Sequence, residues 1–360
     1  MYSSINIKTR ADGKDDAKVL VIYTGGTLGM VFDPKTNGLV PFNFAQIPEN
    51  LPEMARLDFE ITVFTFAQLI DSSNMSPEIW IRLAAIIAEN YGQYDSFVIL
   101  HGTDTMAYTA SALSFLLENL AKPVILTGAQ LPIGVARTDA KENFITALEI
   151  AADKLPNGSP KVPEVCIYFN SLLLRGNRAR KRESMQFNAF DSENYPPLAQ
   201  VGVSIEYSYP YIRSVLKKKP LIFHQGLDEN MVILKLFPGI SESVVSSVLE
   251  ITALKGVVLE TYGAGNAPTD KWFLACIKRA IDKGIIILNV SQCNGGRVTQ
   301  GRYQTSQYLE EIGVISGVDM TTEAAITKMM FAFGKEKELE KVKEILRIEI
   351  CGEMEGVIRV

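Results

Sequence analysis

The strongest constraint on the fold of this chain is a repeated alternation of two patterns. Short, uninterrupted apolar runs are separated by longer amphipathic stretches with helical spacing. The runs are KVLVIY (18–23), FEITVFTF (59–66), SFVIL (96–100), PVILT (123–127) and EVCIYF (164–169). Between them lie helical patterns over 76–91, 106–120 and 139–153. The first of these opens with Ser76, Pro77 and Glu78, a hydroxylic cap, a proline where no N–H is needed, and an acid in the first turn. A strand with no polar face has to be covered on both sides. Strands of that kind, separated by helices, form a mainly parallel sheet flanked by helices.

A second alternation follows. Strands are expected at 231–236, 256–260 and 284–290, and helices at 241–253, 270–283, 322–333 and 339–347. The stretch EYSYPYIRSVLKKKP (206–220) is aromatic, basic and punctuated by proline, and reads as the approach to an interdomain linker. The expectation is an α/β chain with a larger N-terminal domain at 1–210, a linker at 211–225 and a smaller C-terminal parallel α/β domain at 226–360. Such a length is enough for two cores. Residues 320–334 read as a capped core helix ending at Gly334.

Composition narrows the function. The net charge of −5 argues against general nucleic-acid binding, and the basic runs RGNRARKRE and LKKKP read as solvated surface. The four cysteines, Cys166, Cys276, Cys293 and Cys351, have no metal-ligand spacing. They read as free thiols of a reducing compartment, so a cytoplasmic location is expected. With only His101 and His224, a histidine-based zinc site or a Ser-His-Asp triad is poorly supplied. The polar start of the chain has no apolar core of a secretory signal, and no uncharged run reaches membrane-spanning length. Neither a metal nor a cofactor is expected.

In open α/β sheets, ligands bind beyond the carboxyl ends of the strands. That rule singles out TGGT (24–27), DSSN (71–74), HGTDT (101–105) and TGAQ (127–130), all small, hydroxylic or glycine-rich. Four such loops read together as one polar pocket. The nucleotide reading of GGTLG fails, because it is not G-x-G-x-x-G and runs into MVFDPKTNGLVP rather than an obvious helix. A nucleophilic reading fits better. Thr27 follows two glycines that let backbone N–H groups approach a ligand, and a hydroxyl becomes a nucleophile once a base takes its proton. Asp104 supplies a carboxylate, Thr103 can position water, and Lys181 can shuttle a proton when held near a carboxylate. The alternative is structural: Thr103 and Asp104 cap the next helix, and Asp71 caps the helix near Ser76.

The motifs YTGGTLGM (23–30), DSSNM (71–75), VILHGTDTMAYTASALSFLLENL (98–120), LTGAQLPI (126–133), RGNR (175–178), YGAGNAP (262–268) and GVISGVDMTTEAAITK (313–328) resemble those of type I, cytoplasmic-type L-asparaginases. The resemblance implies a two-domain asparaginase-type fold and hydrolysis of L-asparagine to L-aspartate and ammonia. It also implies Thr27 as nucleophile, Thr103 and Asp104 as the second threonine and its acid, and Lys181 as the lysine of a Thr-Lys-Asp relay. Asp71, Ser72 and Ser73 would grip the α-carboxylate and α-amine, with Asp104 on the α-ammonium and the Ala129 backbone lining the pocket. Asn266 would be offered across an intimate dimer, paired into a tetramer, although a turn-forming role before Pro268 stays open.

Two positions depart from the pattern. Leu39 stands where many relatives carry a loop tyrosine, and Tyr303 is the candidate to replace it. Arg180 stands where some type I relatives have a threonine tied to a regulatory asparagine site, which puts cooperative activation in question. Competing readings are an archaeal amidotransferase subunit, which would carry an additional N-terminal domain, an amino-acid racemase, which would need a pair of suitably placed cysteines, and a non-catalytic amino-acid sensor.

Overall fold

The computed structural model describes residues 2–7, 17–33, 38–41, 51–214, 219–299 and 304–356. Two compact units emerge. The first holds residues 1–192 and 196–223, and the second holds 193–195 and 224–360.

In chain order the strands of the first unit are β1 (Tyr2–Ile7), β2 (Lys18–Tyr23), β3 (Met30–Asp33), β4 (Gly38–Pro41), β5 (Glu60–Phe66), β6 (Ser96–Leu100), β7 (Leu117–Glu118), β8 (Val124–Thr127), β9 (Val165–Phe169), β10 (Leu172–Arg175), β11 (Arg180–Lys181), β12 (Phe190–Asp191), β13 (Ala199–Val201), β14 (Ile205–Tyr207) and β15 (Ile222–Phe223). Among the described residues, nine of them form one sheet in the order β1-β5-β2-β6-β8-β9-β10-β13-β14. The middle, from β5 to β9, is parallel. Val19 to Tyr23 and Phe97 to Leu100 are fully buried. That burial explains why these strands lack a polar face. The helices α1 (Pro77–Asn90), α2 (Met106–Leu116) and α3 (Ala140–Ala152) alternate with them. In α1 the buried residues Trp80, Leu83, Ala84 and Ile87 recur at three- and four-residue spacing.

The edges of the sheet are antiparallel, which the alternation did not predict. The polar strand β1 pairs with β5 along its whole length, and Tyr2 stacks on Phe64 with ring centroids 4.3 Å apart. At the other edge, β10, β13 and β14 form a meander. The aromatic segment at 206–211 is therefore an edge strand and a turn rather than linker approach. Tyr207 donates to Asp153 at 2.9 Å, and Lys161 lies over its ring. The helix expected to run to 120 stops at Leu116, because Leu117–Glu118 pairs with Ile222–Phe223 and Asn119 takes a positive φ of 63°.

The second unit has a four-stranded parallel sheet in the order β16 (Met231–Lys235), β17 (Gly256–Thr261), β18 (Ile286–Ser291) and β19 (Ile315–Ser316). Its helices are α4 (Glu242–Leu249), α5 (Lys271–Asp282), α6 (Gln304–Glu311), α7 (Thr322–Lys335) and α8 (Leu339–Arg347). Leu234, Val257, Leu259, Phe273, Ile277 and Ile287 centre its core. The helix expected over 241–253 ends early, at Leu249. Gly334 does not terminate α7, which continues through Lys335. A β-carbon at Gly334 would lie 2.3 Å from the Gly226 carbonyl oxygen, so this glycine serves a close backbone approach instead of a cap. Lys328 and Glu353 form a fully buried ion pair of 2.6 Å. Glu353 also accepts the N–H groups of Ile350 and Cys351, which ties the residues after α8 to α7.

Candidate active site

Three strand-end loops of the first unit come together so closely that glycine is needed where they meet. Gly25 and Gly26 adopt positive φ of 136° and 90°, where a side chain would be strained. A β-carbon at Gly25 would lie 2.3 Å from the Ile70 carbonyl oxygen, and one at Gly26 would lie 2.5 Å from the Gly102 nitrogen. Thr27, half-buried at the start of the single turn Thr27–Gly29, follows Gly26 directly, and Thr103 follows Gly102. The Ser72 side chain occupies the space that a β-carbon of Gly102 would take, and Thr105 Oγ1 donates to the Ser72 carbonyl at 2.7 Å. The loops after β2, β5 and β6 thus share one small region at the carboxyl end of the sheet.

Lys181 reaches this region from the hairpin of β11 and β12. Its Nζ donates to Thr103 Oγ1 at 2.7 Å and to Asp104 Oδ1 at 2.6 Å. The Asp104 side chain is 65% exposed, so the ion pair contributes only ~0–1 kcal/mol to stability. Its chemical consequence is larger, because an amine and a hydroxyl sit within proton-transfer distance and a carboxylate holds the amine. Neither Thr103 nor Asp104 caps α2. The N-cap residue is Thr105, and no side chain caps that helix.

Asp71 does cap, but locally. Its Oδ1 accepts the Ser73 N–H at 2.9 Å and the Ser73 hydroxyl at 2.8 Å, at the start of the turn Ser72–Asn74. These bonds hold its carboxyl below the ordinary range. Ser72 is buried, while Asp71 and Ser73 are exposed. Ala129 is buried at 3% exposure, directly after β8. Asn266 stands in the second unit, in a tight turn closed by its backbone bonds to Tyr262 at 2.8 and 2.9 Å. Tyr303 lies outside the described residues. Leu39 sits on β4 opposite Phe32 of β3. Thr103, Asp104 and Lys181 are therefore brought together, with Ser72 against the loop that carries the first two.

The sequence reading did not single out His101 or Gln130. His101 is fully buried, and burial pushes its imidazole down to about 4 against a weaker opposing contribution from its bond to Gly102. Its tautomer follows from its neighbours. Trp80 Nε1 can only donate, so it gives its proton to Thr109 Oγ1 at 2.9 Å. The Thr109 hydroxyl then donates to His101 Nε2 at 2.9 Å, and Nδ1–H donates to the Gly102 carbonyl at 2.6 Å. A neutral imidazole thus fixes the backbone that presents Thr103. The signal was the histidine inside HGTDT, which metal and triad arguments set aside because they look for ionised or ligating roles.

Among the described residues, no three His, Cys, Asp or Glu side chains are grouped to hold a metal ion, and no helix is long and apolar enough to cross a membrane.

The fold and site define a class: two-domain α/β proteins whose larger sheet gathers hydroxyls, a carboxylate and an amine at its carboxyl end. Residues 18–213 match the sequence family described as Asparaginase, N-terminal, and residues 230–346 match the Glutaminase/Asparaginase C-terminal domain. L-asparaginase 1 of Escherichia coli is 40% identical over 348 residues, covering 93% of this chain and 97% of that protein. The crystal structure of L-asparaginase I from Vibrio cholerae aligns with a TM-score of 0.83 at 38% identity, over 94% of this chain and 99% of that one. The thermostable L-asparaginase from Thermococcus kodakarensis aligns with a TM-score of 0.85 at 33% identity, again over 94% and 99%. This chain belongs to the asparaginase family of hydrolases, in its type I group.

Proposed function

We propose that the protein is an L-asparagine amidohydrolase that works through Thr27. The observation that carries this reading is the Lys181 amine set between Thr103 Oγ1 at 2.7 Å and Asp104 Oδ1 at 2.6 Å, beside the loop that ends in Thr27. Thr27 Oγ1 attacks the side-chain amide carbon, the nitrogen takes up a proton and the C–N bond breaks. Ammonia leaves and an aspartyl ester remains. Thr103 positions the water that attacks this ester, and the relay through Lys181 takes its proton. Thr27 departs as the leaving hydroxyl, and L-aspartate is released. Asp104 holds Lys181 and meets the substrate α-ammonium, while Asp71, Ser72 and Ser73 grip the α-carboxylate and α-amine. The Ala129 backbone lines the pocket. Glutamine, longer by one methylene, would be a minor substrate, since such a difference shifts selectivity by only ~1–3 kcal/mol.

The same reading places the enzyme in the cytoplasm as an intimate dimer, paired into a tetramer, with Asn266 offered across the dimer interface. It is supported by the family membership and by the hydroxyl, amine and carboxylate set described above. The test is ammonia release against L-asparagine concentration, with L-glutamine and a Thr27→Ala variant alongside. Turnover lost in the variant is the expected result. A hyperbolic curve would agree with the loss of regulation at Arg180, and a sigmoidal one would restore cooperativity. Binding without turnover of either amide would replace the enzyme reading with an amino-acid sensor.

A further inference from the structure

The tip of the hairpin that delivers Lys181 stands in solvent. Strands β11 and β12 pair through two residues each; Ala189 and Phe190, the latter against Phe169, anchor the hairpin at its base, while Ser184, Met185 and Gln186 at its tip are exposed, Met185 at 92%. One side chain from another loop spans the distance. Gln130, the last residue of TGAQ, donates from Nε2 to the carbonyls of Ser184 at 3.1 Å and Gln186 at 3.0 Å. Two carbonyl partners require the amide nitrogen on that side, so the orientation of the amide is determined. Its Oε1 then faces Thr103, whose Oγ1 lies 3.4 Å away. The backbone of Gln130 is fixed as well. Both oxygens of Asp139 accept its N–H, at 3.1 and 3.0 Å, and Asp139 also accepts from Leu131 and Asn143.

We propose that Gln130 is a positioning residue with two ends, its amide nitrogen tethering the Lys181 hairpin and its amide oxygen orienting the Thr103 proton. Lys181 Nζ already donates to Thr103 Oγ1. At rest the Thr103 proton points to Gln130 and its oxygen accepts from Lys181; in the relay that proton turns to Lys181 as the proton of the attacking water arrives at Thr103 Oγ1. Gln130 touches no substrate in this scheme. It sets the distance and the hydrogen-bond direction of two groups that do. The proposal rests on the reaction described above.

The test uses the full-length protein, a Gln130→Met variant of similar volume without the amide, and Lys181→Met as reference. Limited trypsin cleavage after Arg182 reads the tether without reference to catalysis, and steady-state kinetics with L-asparagine read the chemistry. The expected result is faster cleavage in Gln130→Met, together with a kcat lower by about ten- to a hundredfold and an almost unchanged KM, as small misplacements of catalytic groups produce. Unchanged cleavage overturns the tether. Faster cleavage with kcat within about twofold of the parent overturns the role in catalysis. If melting shows that Gln130→Met does not fold, Gln130→Asn takes its place, with the amide retained but one methylene short of both partners. A parent without turnover, or a Lys181→Met variant as active as the parent, overturns the reading of the reaction itself, whatever the loop does.

Discussion

His101 makes the stability of the first unit depend on acidity in a calculable way. Its native pKa is pushed down to about 4, against 6.5 for an unburied imidazole. Between these values the unfolded chain binds a proton that the native chain refuses, so stability rises with pH. The neutral ring is fully tolerated above about pH 6.5, and stability is lost as pH falls toward 4. Carried from about pH 7 to about pH 5, the difference in proton binding amounts to roughly 2 kcal/mol. Carboxylates held low, such as Asp71 and Glu353, titrate below their ordinary values of 3.8 and 4.5, so their losses come at more acid pH. The experiment compares urea unfolding of the parent and a His101→Asn variant at both pH values. The variant has a lower baseline because the bonds from Thr109 and to Gly102 are disturbed, but that cancels when each protein is compared with itself. The parent should lose about 2 kcal/mol more than the variant on acidification. Equal losses would refute the assignment of a buried neutral imidazole at this position.

Gly26→Ala should impair both stability and turnover. The new β-carbon would meet the Gly102 nitrogen at 2.5 Å at a φ of 90°, a strain of about 1–3 kcal/mol visible in urea unfolding. Relief of that strain would shift Thr27 or Thr103, so kcat should fall further than the folded fraction; a kcat that follows the folded fraction would show that the loop contact does not position the threonines. In the second unit, Glu353→Gln should cost about 3–5 kcal/mol in unfolding experiments, because it leaves the buried Lys328 ammonium without its counter-charge. Glu353→Gln with Lys328→Met should recover most of that loss, and a double variant as unstable as the single one would show that the pair is not the cause.

The parallel strands were readable because burial on both faces leaves them largely apolar along their middles, with charged residues only at the first position of β2 and β5, and β2, β5, β6, β8 and β9 stand within a residue of their expected bounds. The antiparallel edges were not. Strand β13 has three residues, AQV, and β14 has three, IEY, and each shows only part of its surface to the core. A run that short carries no period. Strand β1 reads as polar and is held by pairing along β5 and by the stack of Tyr2 on Phe64, neither of which leaves a local signal. In the site, Thr27, Ser72, Thr103 and Asp104 were legible from strand-end position, since the loops after parallel strands share one edge. Lys181 was legible only as an amine that could serve beside a carboxylate, and the resemblance alone set it above a surface lysine, which is what a lysine in a basic run looks like. Gln130 was invisible in its role, which depends on carbonyls 54 and 56 residues further along the chain.

The helix starts give an independent reason to read this edge as functional. Ser76, Thr105 and Asp139 stand at the N-cap positions of α1, α2 and α3, and all three are residue types that cap well. None of them makes a side-chain cap bond. In the second unit Ser241 and Thr321 do cap, accepting the N–H groups of Val244 and Ala324, while Asp270 at the start of α5 does not. A forgone cap costs about 1 kcal/mol, which local structure alone gives no reason to accept. At two of the three starts the side chain is engaged elsewhere. Thr105 bonds the loop of Ser72, and Asp139 turns back to the backbone of Gln130 and Leu131. Thr103 and Asp104, also within reach of a helix start, bond Lys181 instead. Thr105 and Asp139 give up their caps at this edge and turn to the strand-end loops, which is what a site built at the expense of helix stability looks like.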